Sequence, residues 1–351
     1  MTDRPDPIDH PLTPAMRQQL LTQLIGALEH YVFPETAAQL QQELRQRLET
    51  DGYGDILGAE QLAHTLTLQL QTLSRDQQLR LHYSPAPLPE IEPDAEPDSA
   101  DLAQQQQLSQ RRNFDINRVE RLPGNVGYLE LYGFEPPEFA GDTLAAAMTF
   151  LAHTDALIID LRHNRGGSPG LVTLLCSYLF PAYPPLHLND LYWRDGDTIQ
   201  QWWTLPYVPG PRYGQPPVYV LTSPDTFSAA EECAYNLQAR QRATIVGETT
   251  QGGANPGRGY RLTDHFWIFL PMGRAINPVT GDNWNDTGVV PDVKVPAELA
   301  LKTAHLMAVT HLQDQPQPTG LHQELQQTQH RVEQELNQMR RDLISQLGGL
   351  K

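Results

Sequence analysis

Three things are scarce in this chain, and each scarcity removes a class of function. Cysteine occurs only at Cys176 and Cys233 among 351 residues, too few for a disulfide framework or a cysteine-only zinc site. No apolar run approaches the ~18–20 residues that cross a bilayer, so no membrane span is expected. Basic side chains are outnumbered, 25 Lys and Arg against 42 Asp and Glu, for a formal charge of −17. A surface of that sign repels phosphate backbones and anionic lipid heads, which argues against nucleic acid as a partner. Residues 1–7 lack the basic-then-apolar pattern of a secretory leader, which predicts a cytoplasmic protein with reduced thiols. No His-x-x-x-His or Cys-x-x-Cys pairing appears, so neither metal nor cofactor is expected.

What is present describes an ordinary globular chain, 39% hydrophobic and 19% charged, long enough for about two domains at ~150 residues each. Residues 13–75 carry three apolar stripes at helical spacing: Leu20, Leu21, Leu24, Ile25 and Leu28; then Leu40, Leu44 and Leu48; then Leu62, Leu66 and Leu70. Tyr31-Val32-Phe33-Pro34 and Asp51-Gly52-Tyr53-Gly54 separate them, and Leu79-Arg80-Leu81-His82-Tyr83 alternates like a short strand. A helical subdomain over 1–83 is followed at 84–112 by a Pro-, acid- and Gln-rich linker.

An α/β core is predicted over 113–312. Val126-Gly127-Tyr128-Leu129-Glu130-Leu131 alternates as a strand, while Ala156-Leu157-Ile158-Ile159-Asp160-Leu161 reads as a strand covered on both faces. Helices are expected over Thr143 to Leu151 and through Leu171, Leu174, Leu175 and Tyr178. Val218-Tyr219-Val220-Leu221-Thr222 repeats the design with a helix from Phe227 to Gln241, and Ala243-Thr244-Ile245-Val246 adds another strand. Strands alternating with helices argue for a mainly parallel sheet. A closing helix is expected within 294–312. Beyond it, residues 313–351 form an amphipathic tail whose apolar positions include Leu321, Leu325, Val332, Leu336, Met339, Leu343 and Leu347. That stripe suits packing on its own domain and self-association with a second copy equally well.

Two strand-to-helix turns are candidates for chemistry, because a helix N-terminus offers unpaired N–H groups and a partial positive charge. One holds Gly166 and Gly167, whose lack of side chains lets backbone approach a ligand. The other holds Ser228 at the first turn of a helix, with the Ala229 N–H beside it, an arrangement suited to acyl transfer. Taken singly, the serine is also an ordinary N-cap and the glycines an ordinary turn. Glu231, Glu232 and Glu248 could orient a substrate, although acids are favourable in a first turn in any case. Trp202-Trp203 and Trp267-Ile268-Phe269 suit either an apolar pocket or the core.

The series of motifs is more specific than its parts. It runs through Ile158-Ile159-Asp160-Leu161-Arg162-His163-Asn164-Arg165-Gly166-Gly167 and Leu221-Thr222-Ser223-Pro224-Asp225-Thr226-Phe227-Ser228-Ala229-Ala230-Glu231-Glu232. Gly247-Glu248-Thr249-Thr250-Gln251-Gly252-Gly253-Ala254-Asn255-Pro256 and Thr287-Gly288-Val289-Val290-Pro291-Asp292-Val293 continue it. Together with Tyr31-Val32-Phe33-Pro34-Glu35, this resembles the tail-specific, or C-terminal-processing, serine peptidase family, in its interphotoreceptor retinoid-binding-protein-like branch. The resemblance implies a crotonase- and Clp-peptidase-like superhelical core and hydrolysis of peptide bonds near protein C-termini. It also implies Ser228 as nucleophile and amides of Gly166 or Gly167 and of Ala229 as the oxyanion hole.

The departures from the family pattern concern the base. A lysine 25 positions after the serine does this work in one branch, and here that place is Gly253. The other branch uses a histidine in Asp-x-His-Leu; the matching Asp76-Gln77-Gln78-Leu79 has Gln78, whose carboxamide has no useful pKa near 7. The branch's glutamate after a tryptophan falls at Asn285, following Trp284, with Asp286 next. Substitutes in reach of the argument are His163, beside the glycine turn, His82, four residues beyond Gln78, and Asp286. Two readings follow: a serine peptidase with a peptide or protein substrate, slowed by the missing base, or a non-catalytic protein on the same fold that holds a peptide or an apolar ligand.

Overall fold

The computed structural model describes residues 10–89, 99–316 and 319–348. The chain start and most of the acidic part of the linker, including Pro93 and Pro97, lie outside the described residues. In chain order the elements are α1 (Pro14–Ala27), α2 (Pro34–Glu49), α3 (Ala59–Ser74), β1 (Arg80–Tyr83), α4 (Ser99–Arg111), β2 (Ile116–Leu122), β3 (Val126–Leu131), α5 (Pro137–Leu151), β4 (Ala156–Asp160) and α6 (Pro169–Leu179). They continue with β5 (His187–Trp193), β6 (Thr198–Trp203), β7 (Val218–Thr222), α7 (Ala229–Ala239), β8 (Ala243–Gly247), β9 (Gly257–Arg261), β10 (Phe266–Pro271), β11 (Gly273–Ile276), β12 (Val293–Lys294), α8 (Ala297–Gln313) and α9 (Thr319–Gly348). No helix among the described residues is long and apolar enough to cross a membrane.

Two compact units emerge, and they do not follow consecutive stretches of chain. The N-terminal unit takes residues 1–97 together with 191–200 and 255–275; the other takes 98–190, 201–254 and 276–351. In the first, the leucine stripes of α1, α2 and α3 bury one another, with Leu20, Leu24, Leu40, Leu62, Leu66 and Leu70 fully enclosed. Leu81, Phe266, Ile268 and Leu270 join the same core because β1 pairs antiparallel with β10, which pairs with β9. Short helices of this kind are marginal alone and are held by such tertiary burial. Within the stretch read as linker, residues 99–111 are helical, as α4.

The second unit is an α/β fold built on a six-stranded sheet of order β12–β8–β7–β4–β3–β2. Its strands β3, β4, β7, β8 and β12 run parallel and β2 is antiparallel. From β3 to β12 the strands stand in chain order, so each crossover advances one strand along the sheet without reversal. The continuous apolar runs of β4 and β7 are buried along their whole length, as strands covered on both faces must be. One face is closed by α8, whose Ala300, Ala304 and Ala308 pack on Tyr128, Ile158, Tyr219 and Leu221. α9 lies on α8 with Leu325, Val332 and Leu336 buried.

Two neighbouring parallel strands, β4 and β7, therefore end side by side, each feeding a turn and then a helix.

Candidate active site

The turn after β4 is shaped by a buried ion pair. Asp160, 1% exposed, receives three guanidinium bonds from Arg162 at 2.6, 2.9 and 3.1 Å and the hydroxyl of Tyr128 at 2.7 Å. Arg162 also reaches the carbonyl of Ala297 at 2.7 Å, tying the turn to the start of α8. Three residues of the turn after β7 then lace onto it. Thr226 donates its hydroxyl to the Leu161 carbonyl at 2.8 Å, Ser223 donates to the Arg162 carbonyl, and the Phe227 N–H donates to the Asn164 carbonyl at 3.1 Å. Small hydroxyl residues recur here because each satisfies a loop carbonyl that sheet pairing leaves over.

Ser228 sits at the head of α7 with φ 55° and ψ −121°, a conformation that costs an L-residue roughly 1–3 kcal/mol unless its surroundings enforce it. One enforcing contact comes from Gly166, at φ 99°, where a Cβ would stand 2.8 Å from the Ser228 Cβ and 3.0 Å from the Ala229 nitrogen. Only glycine fits there. The two turns are thus in direct backbone contact beside the serine.

Several of the amides beside the serine are spoken for. The Gly166 N–H donates to the Asn164 side chain at 2.8 Å, and the Ser168 N–H to the Phe134 carbonyl at 2.6 Å. The Ser228 N–H donates to Glu231 at 2.8 Å, and the Ala230 N–H to the Phe227 carbonyl at 3.1 Å. Between them, the N–H groups of Gly167 and Ala229 have no acceptor among the described residues. Of the glycine amides named from the sequence, then, Gly166 is consumed within the turn and Gly167 is open.

Glu231, which reads in sequence as a first-turn acid, is fully buried and accepts four hydrogen bonds. These come from the Ser228 and Gly253 N–H groups at 2.8 and 2.9 Å, and from the Gly252 N–H and Thr250 hydroxyl at 2.6 Å each. Burial pushes this carboxyl above its usual range, and the four donors oppose the push. The 250–254 segment is held on its other side by residues 284–289. Trp284 donates its ring N–H to the Gly253 carbonyl at 3.1 Å, Asn285 accepts the Ala254 N–H at 3.2 Å, and the Asp286 N–H donates to the Gly252 carbonyl at 3.0 Å.

Peptidase family S41 matches over residues 125–295, and the N-terminal domain of Peptidase_S41 in eukaryotic IRBP over residues 14–116. The chain belongs to peptidase family S41. A chloroplastic carboxyl-terminal-processing peptidase 2 of Arabidopsis thaliana is 25% identical over 201 residues, 51% of this chain but 35% of that protein. The match therefore spans about a third of the plant relative. Among solved structures, a photosystem II D1 C-terminal processing protease aligns over 82% of this chain and 95% of its own, at TM-score 0.51 and 17% identity. A protein of Parabacteroides merdae ATCC 43184 described as a candidate peptidase aligns over 81% and 90%, at TM-score 0.53 and 15% identity. Identities this low speak for the fold alone.

For this S41 chain the open question is the base, and each sequence candidate has its own surroundings. Gly253, at the lysine position, is covered by the Phe227 ring, so that a Cβ there would lie 2.6 Å from Phe227 Cζ. Asn285 is occupied with the Ala254 amide and donates to Asp286 at 2.9 Å. Burial pushes the Asp286 carboxyl up, and that bond from Asn285 opposes it. His163 is exposed, its ring edge-on to Tyr132 at 5.8 Å. Gln78 and His82 belong to the N-terminal unit. The Gln78 N–H donates to Asp76 at 2.8 Å, and Asp76 in turn accepts the Tyr31 hydroxyl at 2.9 Å. His82 lies flat on Trp267 at 4.1 Å, and burial, with Arg80 nearby, pushes its pKa down. Among the described residues, no histidine or lysine shares a hydrogen bond with Ser228.

Asn164 and Glu231 are the two site residues that sequence reasoning passed over in these roles. The available signal was their spacing, two before Gly166 and three after Ser228; what it lacked was the partner loop at 250–253, far along the chain.

Proposed function

We propose that this S41 chain is a serine-type peptidase in which Ser228 attacks the carbonyl carbon of a bound peptide. As the new C–O bond forms, the carbonyl electron pair moves onto oxygen, which the Gly167 and Ala229 N–H groups receive. Collapse breaks the C–N bond, the departing amine nitrogen takes a proton from solvent, and the acyl-enzyme left behind is hydrolysed by water. The observation that carries this reading is the pair of unsatisfied amides flanking a serine held at positive φ. Preorganised donors of that kind are worth about 10²–10³ in rate each.

The serine proton has no histidine or lysine partner within the unit, so it passes to solvent, and turnover is slowed by about 10²–10⁴ relative to a base-assisted enzyme. Acylation by a fluorophosphonate should then climb log-linearly with pH from 7 to 10 instead of levelling near 7. Ser228→Ala should abolish labelling. Failure of the wild-type protein to label at any pH in that range removes the hydrolase reading.

A second reading has its own support in Gln78 and in the Phe227 ring over Gly253, which leave neither family base position equipped. It makes the chain a non-catalytic binder of peptide or apolar ligand. Thermal stabilisation by ligand that Ser228→Ala leaves intact, without labelling or turnover, would favour it.

A further inference from the structure

Resting on the nucleophile reading of Ser228, we infer that Glu231 is a positioning residue for the reaction, acting as an ionised four-way staple in which the helix-capping bond to Ser228 is one of four. A Glu at the third helical position ordinarily reaches back to its own N-cap and faces water. Here the carboxylate is enclosed, and three of its four partners belong neither to α7 nor to its cap: Thr250, Gly252 and Gly253. All four partners are donors. Thr250 is oriented as a donor: its oxygen accepts the Val289 N–H at 2.7 Å and its hydroxyl proton is given to Glu231. Three of the four are backbone N–H groups that cannot accept, so protonating the carboxyl gives up donor bonds and the site favours the anion.

Two consequences reach the serine. Taking the Ser228 N–H fixes the backbone at φ 55° and leaves Ala229 as the first amide free to meet an oxyanion. Binding the 252–253 amides fixes the loop whose Gly253 packs against the Phe227 ring, next to the nucleophile. A displacement of about 1 Å at such a centre costs on the order of 10²-fold in rate. The ionisable neighbours are Glu232 and Cys233 on α7 and Asp286 on the facing segment; burial and the four hydrogen bonds dominate the Glu231 balance.

The test is fluorophosphonate acylation of the full-length chain between pH 4.5 and 10, with folding followed by circular dichroism. Wild type should show slope one in log rate against pH above the Glu231 carboxyl and slope two below it. Thr250→Val, which removes one donor, should move that break to higher pH while leaving the fold intact. Glu231→Gln places an NH₂ against backbone N–H donors; it should lower the rate about 100-fold and show no break. A Glu231→Gln variant labelled at the wild-type rate, or a Thr250→Val break at the wild-type position, overturns the inference. If Glu231→Gln does not fold, the Thr250→Val break alone decides. An unlabelled wild type instead overturns the Ser228 reading, and this inference falls with it.

Discussion

Replacing Gly253 by alanine tests the packing at the position to which the family resemblance assigns a lysine. Gly253 does not have a positive φ, so in open space alanine would stabilise by ~0.4–1 kcal/mol through the unfolded state. The space is not open. The new Cβ would meet the Phe227 ring at 2.6 Å from Cζ and 3.0 Å from Cδ2, and closer still to Cε2, against a normal carbon–carbon separation of ~3.5–4.0 Å. Relief requires the half-buried ring to turn, and overpacking of this size costs ~1–3 kcal/mol. The clash therefore outweighs the entropy gain by ~1–2 kcal/mol, which corresponds to a fall of roughly 2–8 °C in Tm at ~2–4 °C per kcal/mol. Differential scanning calorimetry of Gly253→Ala, Phe227→Ala and the double variant closes the cycle. Alanine at 253 should be neutral or stabilising once the ring is gone, a coupling within the 0.5–3 kcal/mol seen for side chains in contact. A wild-type Tm for Gly253→Ala, or an equal cost with and without the ring, refutes the reasoning. By the same geometry, Gly253→Lys should not raise fluorophosphonate reactivity, since the lysine stem would have to displace Phe227.

Other perturbations bear on the same scaffold. Arg162→Met leaves Asp160 buried with Tyr128 as its remaining side-chain partner, and urea denaturation should register a loss of ~3–5 kcal/mol. An unchanged midpoint would show that the pair does not hold the turn. Glu232, also on α7, is enclosed with one carboxyl oxygen unpartnered, and burial pushes it up to about 8. Its folded pKa thus lies above its unfolded one, so its contribution to stability is full below the unfolded value and declines as pH rises toward 8. Glu232→Gln should therefore match wild type near pH 4 and exceed it in Tm at pH 8–9; parallel pH curves for the two proteins would contradict that assignment.

Much of the architecture was legible in linear order because it depends on local periodicity. The leucine stripes specify α1 to α3, and the unbroken apolar runs of β4 and β7 announce strands buried on both faces. The glycines and Ser228 were equally visible, since a close backbone approach demands residues without side chains and a helix start favours serine. The division into units was less accessible. Residues 255–275 pack with the N-terminal unit because Phe266, Ile268 and Leu270 present a face that β1 and the leucines of α1 to α3 can cover, a match made across nearly two hundred residues of chain.

The bare sequence determined which residue types stand at the two turns, and that Gln78 and Gly253 occupy the places where the family resemblance puts a base. Which amides remain available was decided only by folding. Asn164 takes the Gly166 N–H and Glu231 takes that of Ser228, so that of these neighbouring amides those of Gly167 and Ala229 stay open. A hydrogen bond depends on distance and angle, and these were set when β4, β7 and the 250–254 segment came together, not by the order of letters along the chain.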